Sequence, residues 1–599
     1  MLDRQAKFLE LMEQYRGGQL SRRMLLRHAS ALGVMAPVVA ALGHVSDAGA
    51  QDATPDTAAL GGESITYEEF EARVLEEFPI PEDAVEGGTL INGDSTDITT
   101  LNPMLADNSP TLDVILGPIF ETLWGGSPLA PEYVPSLARQ WELAEDGVTY
   151  TFYLQEDVTW HDGEPFTAED VIMSMDAQAD PSTNSAYTSS FIDTVAAYEA
   201  VDDYTVRVTA TDIFPQLLFF GNAYFPVMPQ HIWGDIPFAD WGADVGATGE
   251  DPSRIVGTGP FKFVEWNVGA TVTLTRNEDY WGKVPFIEEF VFQVWPDQSS
   301  ALEALRSGEI DILAGIPNAD AQDIADAENT ELAVYDTYSF GFYAYNLDPE
   351  KTELFQDVRV RQALFYALDR ETLVEEVYYG FGEVAHGTQP ILSPAYAPDE
   401  IETRYNYDPE LAQQLLEEAG WVDEDGDGIR EKDGRPLSFE LMYTGGVALY
   451  EQLVPYMQEA WAEIGVDMVP NPVDFGTVLI PAITENFDYE IALLGFSWDI
   501  TGDQSPMFST DQYLNGFNMM RYSNPQVDEL FEEAKREFDP ERRRELLIEA
   551  SNIINNELPI GILNFSEARV GYLERVQNYH PNDYGDYLWN LPYVWLEEA

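Results

Sequence analysis

Residues Tyr150–Val171 read YTFYLQEDVTWHDGEPFTAEDV. Tyr150, Phe152 and Leu154 alternate with Thr151, Tyr153 and Gln155, the two-residue period of a half-buried strand. Asp162-Gly163 marks a tight turn, because glycine takes positive φ without steric cost. Thr167 followed by Asp170 is a capping-box pattern, in which the threonine hydroxyl accepts a backbone N–H and the aspartate reaches back. The stretch predicts a strand, a turn and a helix start, with no reactive constellation among them.

Outward from this stretch, strand and helix patterns alternate along the chain, which argues an α/β fold. Asp408-Pro409, Asn524-Pro525 and Asp539-Pro540 each place an N-cap side chain before proline at the first helical position. After the first of these, Leu411, Leu415, Leu416 and Ala419 form one apolar face, and Gly420 suits the residue past the helix end. A helix is predicted over Ser300–Arg306, ending near Gly308, with Ile310, Ile312 and Leu313 continuing as a strand. Phe487–Phe496 is an apolar run that suits a central strand.

At 599 residues the chain exceeds one core, and roughly 150 residues per domain suggests three or four units. The net charge is −77, from 30 basic and 107 acidic residues, which argues against nucleic acid and anionic membrane surfaces as partners. The acids are spread along the chain. They fit either an ordinary solvated surface or one made for high salt, where screening removes self-repulsion. Cysteine is absent, so the chain has no disulfide, thiol nucleophile or lipid-modifiable cysteine.

Residues 1–50 read as an export address. Ser21-Arg22-Arg23-Met24-Leu25-Leu26-Arg27 resembles a twin-arginine signal, an apolar run over Ala29–Leu42 is short for a membrane span, and Ala48-Gly49-Ala50 suits cleavage. An exported protein, periplasmic or extracellular, is expected. Residues 51–86 form an acidic spacer with one helical candidate, Tyr67–Phe78.

Ordered strings then carry a family resemblance. They include Thr100-Leu101-Asn102-Pro103, Pro135-Ser136-Leu137-Ala138 with Trp141, and the opening segment. Gly257-Thr258-Gly259-Pro260-Phe261, Arg306-Ser307-Gly308-Glu309-Ile310-Asp311, Val358-Arg359-Val360-Arg361-Gln362-Ala363 and Tyr522-Ser523-Asn524-Pro525 follow. The chain resembles the family 5 extracellular solute-binding proteins, the peptide- and nickel-binding receptors of ABC importers. The resemblance implies a two-lobed α/β "Venus flytrap" with an extra subdomain in the first lobe. The expected division is lobe one at 87–295 (subdomain 124–203), lobe two at 296–567, and a return to lobe one at 568–599. It also implies capture of a peptide between the lobes for a membrane permease, by a monomer that is not an enzyme. Oligosaccharides and nickel chelates are alternative ligands. A secreted hydrolase is the alternative class, although the dispersed histidines and the absence of H-E-x-x-H or G-x-S-x-G offer it no site.

The resemblance also points to site residues. Trp498 is a pocket wall or a core aromatic, and either Asp499 or Asp503 pairs with a peptide ammonium. Asn108, Ser109 and Pro110 match the first-lobe strand that faces the ligand, or else form a surface turn. Tyr343 and Tyr345, with Asn346 beyond them, line the cleft or pack within the sheet. Separately, Asp423-Glu424-Asp425-Gly426-Asp427-Gly428-Ile429-Arg430-Glu431 spaces carboxylates as a calcium loop does. Asp423, Asp425, Asp427, the Ile429 carbonyl, Glu431 and Asp433 are its candidate ligands for a structural Ca2+.

Overall fold

The structure is a computed structural model that describes residues 65–130, 132–214, 219–220, 225–513, 516–584 and 586–597. The expected signal at 1–50 and residues 51–64 of the expected spacer lie outside these.

The strands that carry the fold are β1 (Thr89–Asp94), β2 (Ala138–Leu143), β3 (Thr149–Leu154), β4 (Val195–Asp202), β5 (Thr205–Ala210), β6 (Phe261–Asn267) and β7 (Thr271–Arg276). After them come β8 (Glu289–Val294), β9 (Ile312–Ala314), β10 (Thr330–Tyr345), β11 (Ser438–Thr444), β12 (Asp467–Val473), β13 (Ile491–Ser497) and β14 (Ile560–Leu573). One large mixed sheet runs in the order β12-β11-β13-β10-β14-β9-β1-β8-β7-β6. Its two halves are the centres of two lobes.

Two long antiparallel strands, β10 and β14, join the halves. Thr330–Asp336 pairs with Glu567–Leu573 in lobe one, and Phe340–Ala344 pairs with Ile560–Phe565 in lobe two. Between them, Thr337, Tyr338 and Ser339 oppose Ser566 alone, so the register slips at the crossing. Such a bulge bends and twists a strand pair. In lobe two the pleat then sorts β10 by face: Phe340, Phe342 and Ala344 enter one core, Tyr343 and Tyr345 the other.

The expected lobe boundary at Trp295/Pro296 therefore shifts. The helix Gln298–Ser307 and β9 remain with lobe one, because β9 pairs with both β1 and β14, and Ala301, Leu305 and Ile324 share a core with Leu313. The crossing itself lies at Thr337–Ser339. The subdomain also extends past 203, because β5 is an inner strand of its four-stranded sheet, β2-β3-β5-β4.

The opening segment holds the subdomain to lobe one. Thr149–Leu154 is a strand with alternating burial, and Thr167 and Asp170 form the capping box of the helix Ala168–Ala179. His161 is buried by its neighbours and clasps the Gly257–Gly259 loop. Its Nδ1 accepts the Gly257 N–H at 3.2 Å, and its Nε2–H donates to the Gly259 carbonyl at 3.0 Å. Burial lowers the imidazole to about 4, so it stays neutral in this clasp. Gly257 is required there, since a Cβ would sit 1.8 Å from the Ile119 carbonyl oxygen.

The helix within the expected spacer forms over Tyr67–Glu77, with a Thr66–Glu69 capping box. It does not hang free. Tyr67 meets Trp281 at 4.7 Å, and Phe78 meets His580 at 4.6 Å, which docks it on lobe one. The lobes also touch each other: Arg536 pairs with Asp212 of the subdomain at 2.8 Å, and Tyr133 and Tyr584 pack against the lobe two core.

Candidate functional site

β13 runs into a loop, residues 498–504, that faces lobe one. Trp498 is buried and stacks on Phe340 at 5.7 Å, with its backbone N–H donated to the Tyr338 carbonyl at 3.1 Å. Its indole Nε1 has no hydrogen-bond partner among the described residues. The loop is held from behind by a buried polar network. Gln389 donates to the Gly502 carbonyl at 3.1 Å, Gln504 to the Thr388 carbonyl at 2.6 Å, and the Thr388 hydroxyl to Gln504 Oε1 at 2.6 Å. Arg543, buried on the helix Pro540–Glu557, donates through Nη2 to the Thr501 carbonyl at 2.8 Å.

The two aspartates that sequence leaves as alternatives differ here. Both oxygens of Asp503 are occupied: Oδ1 by the Ser505 N–H and Oδ2 by the Ser505 hydroxyl, each at 3.0 Å. Asp503 is thus an Asx turn at a helix start. Asp499 accepts the Thr501 N–H at 2.8 Å and the Thr501 hydroxyl on Oδ1 alone. Its Oδ2 is left to the cleft among the described residues. Asp499 is solvent-accessible yet enclosed by protein on most sides, so desolvation pushes its carboxyl up, while the Thr501 hydrogen bonds and Arg543 pull the other way.

Across from this loop stand groups that sequence reasoning missed. Tyr133, from the subdomain strand Tyr133–Pro135, packs against the lobe two core that contains Trp498, and its ionisation is held up by burial and then by the Asp499 charge. Tyr338 sits in the hinge bulge, with a buried hydroxyl that has no partner among the described residues. Its backbone N–H donates to Asp583 Oδ2 at 2.8 Å, and its ring meets Tyr584 edge-on at 6.2 Å. Tyr338 therefore joins the returning chain of lobe one to the Trp498 loop of lobe two. Of these groups, Arg543 had a readable signal. With Leu547, Ala550 and Ile554 it lies on the buried stripe of its helix, where an unpaired cation would be costly.

Other expected residues stand elsewhere. Asn108 caps the helix Ser109–Ile115 by accepting the Thr111 N–H at 3.1 Å, and Pro110 is buried in its first turn. The segment is a helix start, where a ligand-facing strand was expected. Within that helix the Ser109 hydroxyl donates to Asp113 at 2.9 Å. Tyr343 and Tyr345 do not line the cleft. Both are fully buried in lobe two, where the Tyr345 hydroxyl donates to Tyr343 at 3.3 Å and lies 3.0 Å from the Arg361 carbonyl. Asn346 is likewise buried, donating to the Phe487 and Tyr489 carbonyls at 2.9 Å.

In the acidic loop, carboxylate oxygens of Asp423, Asp425, Asp427 and Glu431 lie within 4.8 Å of one another. Asp423 gathers the turn by accepting the Gly426 and Gly428 N–H groups at 2.6 and 3.1 Å. Asp433 falls outside the cluster, because with Gly434 it makes the left-handed turn of the hairpin Glu431–Lys432/Arg435–Pro436. The Ile429 N–H donates to Asp427 at 2.9 Å.

A model of the bacterial extracellular solute-binding proteins, family 5 (middle), matches residues 132–519. The chain is 29% identical to the oligopeptide-binding protein AppA of Bacillus subtilis over 77% of this chain and 83% of that one. It is 28% identical to heme-binding protein A of Haemophilus influenzae over 74% of this chain and 81% of that one. The structure of the same B. subtilis AppA with a nonapeptide superposes with a TM-score of 0.70 at 27% identity, covering 86% of this chain and all of that one. With its two lobes, its crossing strands and a matched region that includes the Trp498 loop, the chain belongs to the family 5 bacterial extracellular solute-binding proteins.

Proposed function

We propose that the protein is the extracytoplasmic receptor of an ABC importer, capturing peptides between its lobes and passing them to a membrane permease. One observation carries the peptide reading. Asp499 offers a half-satisfied carboxylate at the end of a strand with an open edge. β13 pairs with β11 only at Ile491 and Ala492, so among the described residues Leu493–Ser497 pairs along one edge alone, with β10. An extended peptide can add to such an edge through its backbone while its ammonium meets the aspartate. The similarity to B. subtilis AppA, an oligopeptide-binding protein whose structure holds a nonapeptide, supports this choice. Return of the peptide unchanged is part of the proposal: the protein carries its ligand and does not cleave it.

Export through the twin-arginine signal and action as a single copy belong to the same proposal. Native mass spectrometry of the purified protein, followed by calorimetric titration with peptides, tests it. A co-purified peptide and micromolar or tighter binding are expected. Binding confined to glycans or metal chelates, or turnover of the peptide, would overturn it. For the acidic loop we propose a structural Ca2+ site, supported by the convergence of its four carboxylates. Calcium titration should give a binding isotherm that Asp425→Ala abolishes.

A further inference from the structure

We propose that a cavity in lobe one, beside the cleft, receives a basic side chain, lysine or arginine, of the captured peptide. This deepens the peptide reading and rests on it. The cavity has a volume of about 490 Å³ and opens between the docked helix Tyr67–Glu77, the second half of the helix Ser109–Ile115, the subdomain and the C-terminal segment. Its carboxylates are Asp113, Asp586 and Glu121, and Trp124, Tyr133 and Trp589 supply aromatic wall. Tyr133 lines this cavity and also packs against the lobe two core that holds Trp498, so the cavity adjoins the cleft.

The three acids are not equivalent. Glu121 is spent, because its oxygens accept the Tyr280 hydroxyl at 2.8 Å and the Trp281 Nε1–H at 2.9 Å. Asp113 accepts the Ser109 hydroxyl, and Asp586 accepts the Leu588 N–H at 3.0 Å, which leaves each with an open oxygen among the described residues. Lys283 is the basic residue of the lining, and its ammonium lies over the Phe286 ring at 4.5 Å. Asp586 is solvent-accessible yet crowded by protein; desolvation pushes both aspartates up, Asp586 and Asp94 push Asp113 further, and no basic side chain offsets this.

Asp113 and Asp586 line the cavity, and each has an oxygen without a donor among the described residues. An entering ammonium or guanidinium supplies both the donors and the charge that complete them. A metal ion suits the site less well. Among the described residues, three or more carboxylates converge at metal-holding distance only in the Asp423–Glu431 loop. Aromatic walls instead favour an organic cation.

Calorimetric titration of the full chain tests this with tetra-alanine peptides carrying lysine or its uncharged isostere norleucine at each position in turn. At one position lysine should bind about tenfold tighter. Asp113→Asn should erase that difference while leaving the norleucine peptides unchanged, which also shows that the variant folds; Asp586→Asn is the second variant. Equal affinities at every position would overturn the cavity proposal and leave the peptide reading standing. A separate arm uses pentane-1,5-diamine alone. If no peptide binds but the diamine does, and Asp113→Asn abolishes it, the cation site stands and the peptide reading falls. Silence from peptides and diamine alike overturns both.

Discussion

The two walls of the cleft carry carboxylates of different construction. On the lobe two wall, Asp499 rests on Thr501, and Arg543 is buried behind the same loop. On the lobe one wall, Asp113 and the solvent-accessible Asp586 have a hydroxyl and a backbone N–H for support, and no cation paired to them offsets their desolvation. Desolvation raises the aspartates of both walls, but a buried cation works against that rise at Asp499 and none does at Asp113 and Asp586. The same residue type is thus partly compensated in one wall and an incomplete pair in the other.

Removing the cation that distinguishes the walls should have the largest effect. Arg543→Met removes the buried donor to the Thr501 carbonyl and should cost about 2–3 kcal/mol in urea unfolding. Loss of under about 1 kcal/mol would erase the contrast. Next, Asp499→Asn should weaken peptide binding by about 2 kcal/mol, roughly 30-fold, with little change in stability. Asp503→Asn should do the reverse, costing about 1 kcal/mol of stability and leaving affinity within about twofold.

The lobe one wall predicts a pH effect of opposite sign to ordinary acid denaturation. Carboxyls raised in the fold bind more protons than in the unfolded chain, where they titrate near about 3.9. Their contribution to stability is therefore lost as pH rises from that value through the folded one. Asp113→Asn should melt above the parent protein at about pH 8 and level with it at about pH 3.5. A lower melting point at both would show that the carboxylate is already paired. The smallest effect is expected from Tyr343→Phe. It should cost about 1 kcal/mol for a hydroxyl hydrogen bond and leave peptide affinity unchanged, since the ring is sealed in lobe two.

Local structure was largely legible in the sequence because local chemistry determines it. Asp408, Asn524 and Asp539 all cap the helices their prolines open, and Gly308 and Gly420 both take positive φ at helix ends. The apolar run at Phe487–Phe496 becomes β13, although the strand starts later, at Ile491, because Phe487 takes a left-handed conformation. The site was less legible. Whether Asp499 or Asp503 is free depends on Ser505 and Thr501 donating to one or the other, which spacing does not reveal. Tyr338, Tyr343 and Tyr345 share one strand and one residue type, but only the crossing at Thr337–Ser339 decides which meets the cleft. Asp113 and Asp586 lie hundreds of residues apart, so nothing local could join them.

The slipped register at that crossing has a mechanical consequence. Three residues of one strand face one of the other, so the paired ladder that resists twisting is interrupted at the single level where the lobes are joined. The rungs are continuous on the lobe one side, and on the lobe two side they resume after a second slip at Gly341/Phe342, so each half should turn as a stiff plate about a short compliant axle. Tyr338 sits on that axle, with its N–H on Asp583 of one plate and its carbonyl on Trp498 of the other. A rotation of a few degrees there must move both contacts together, so the pivot itself registers whether the cleft is filled.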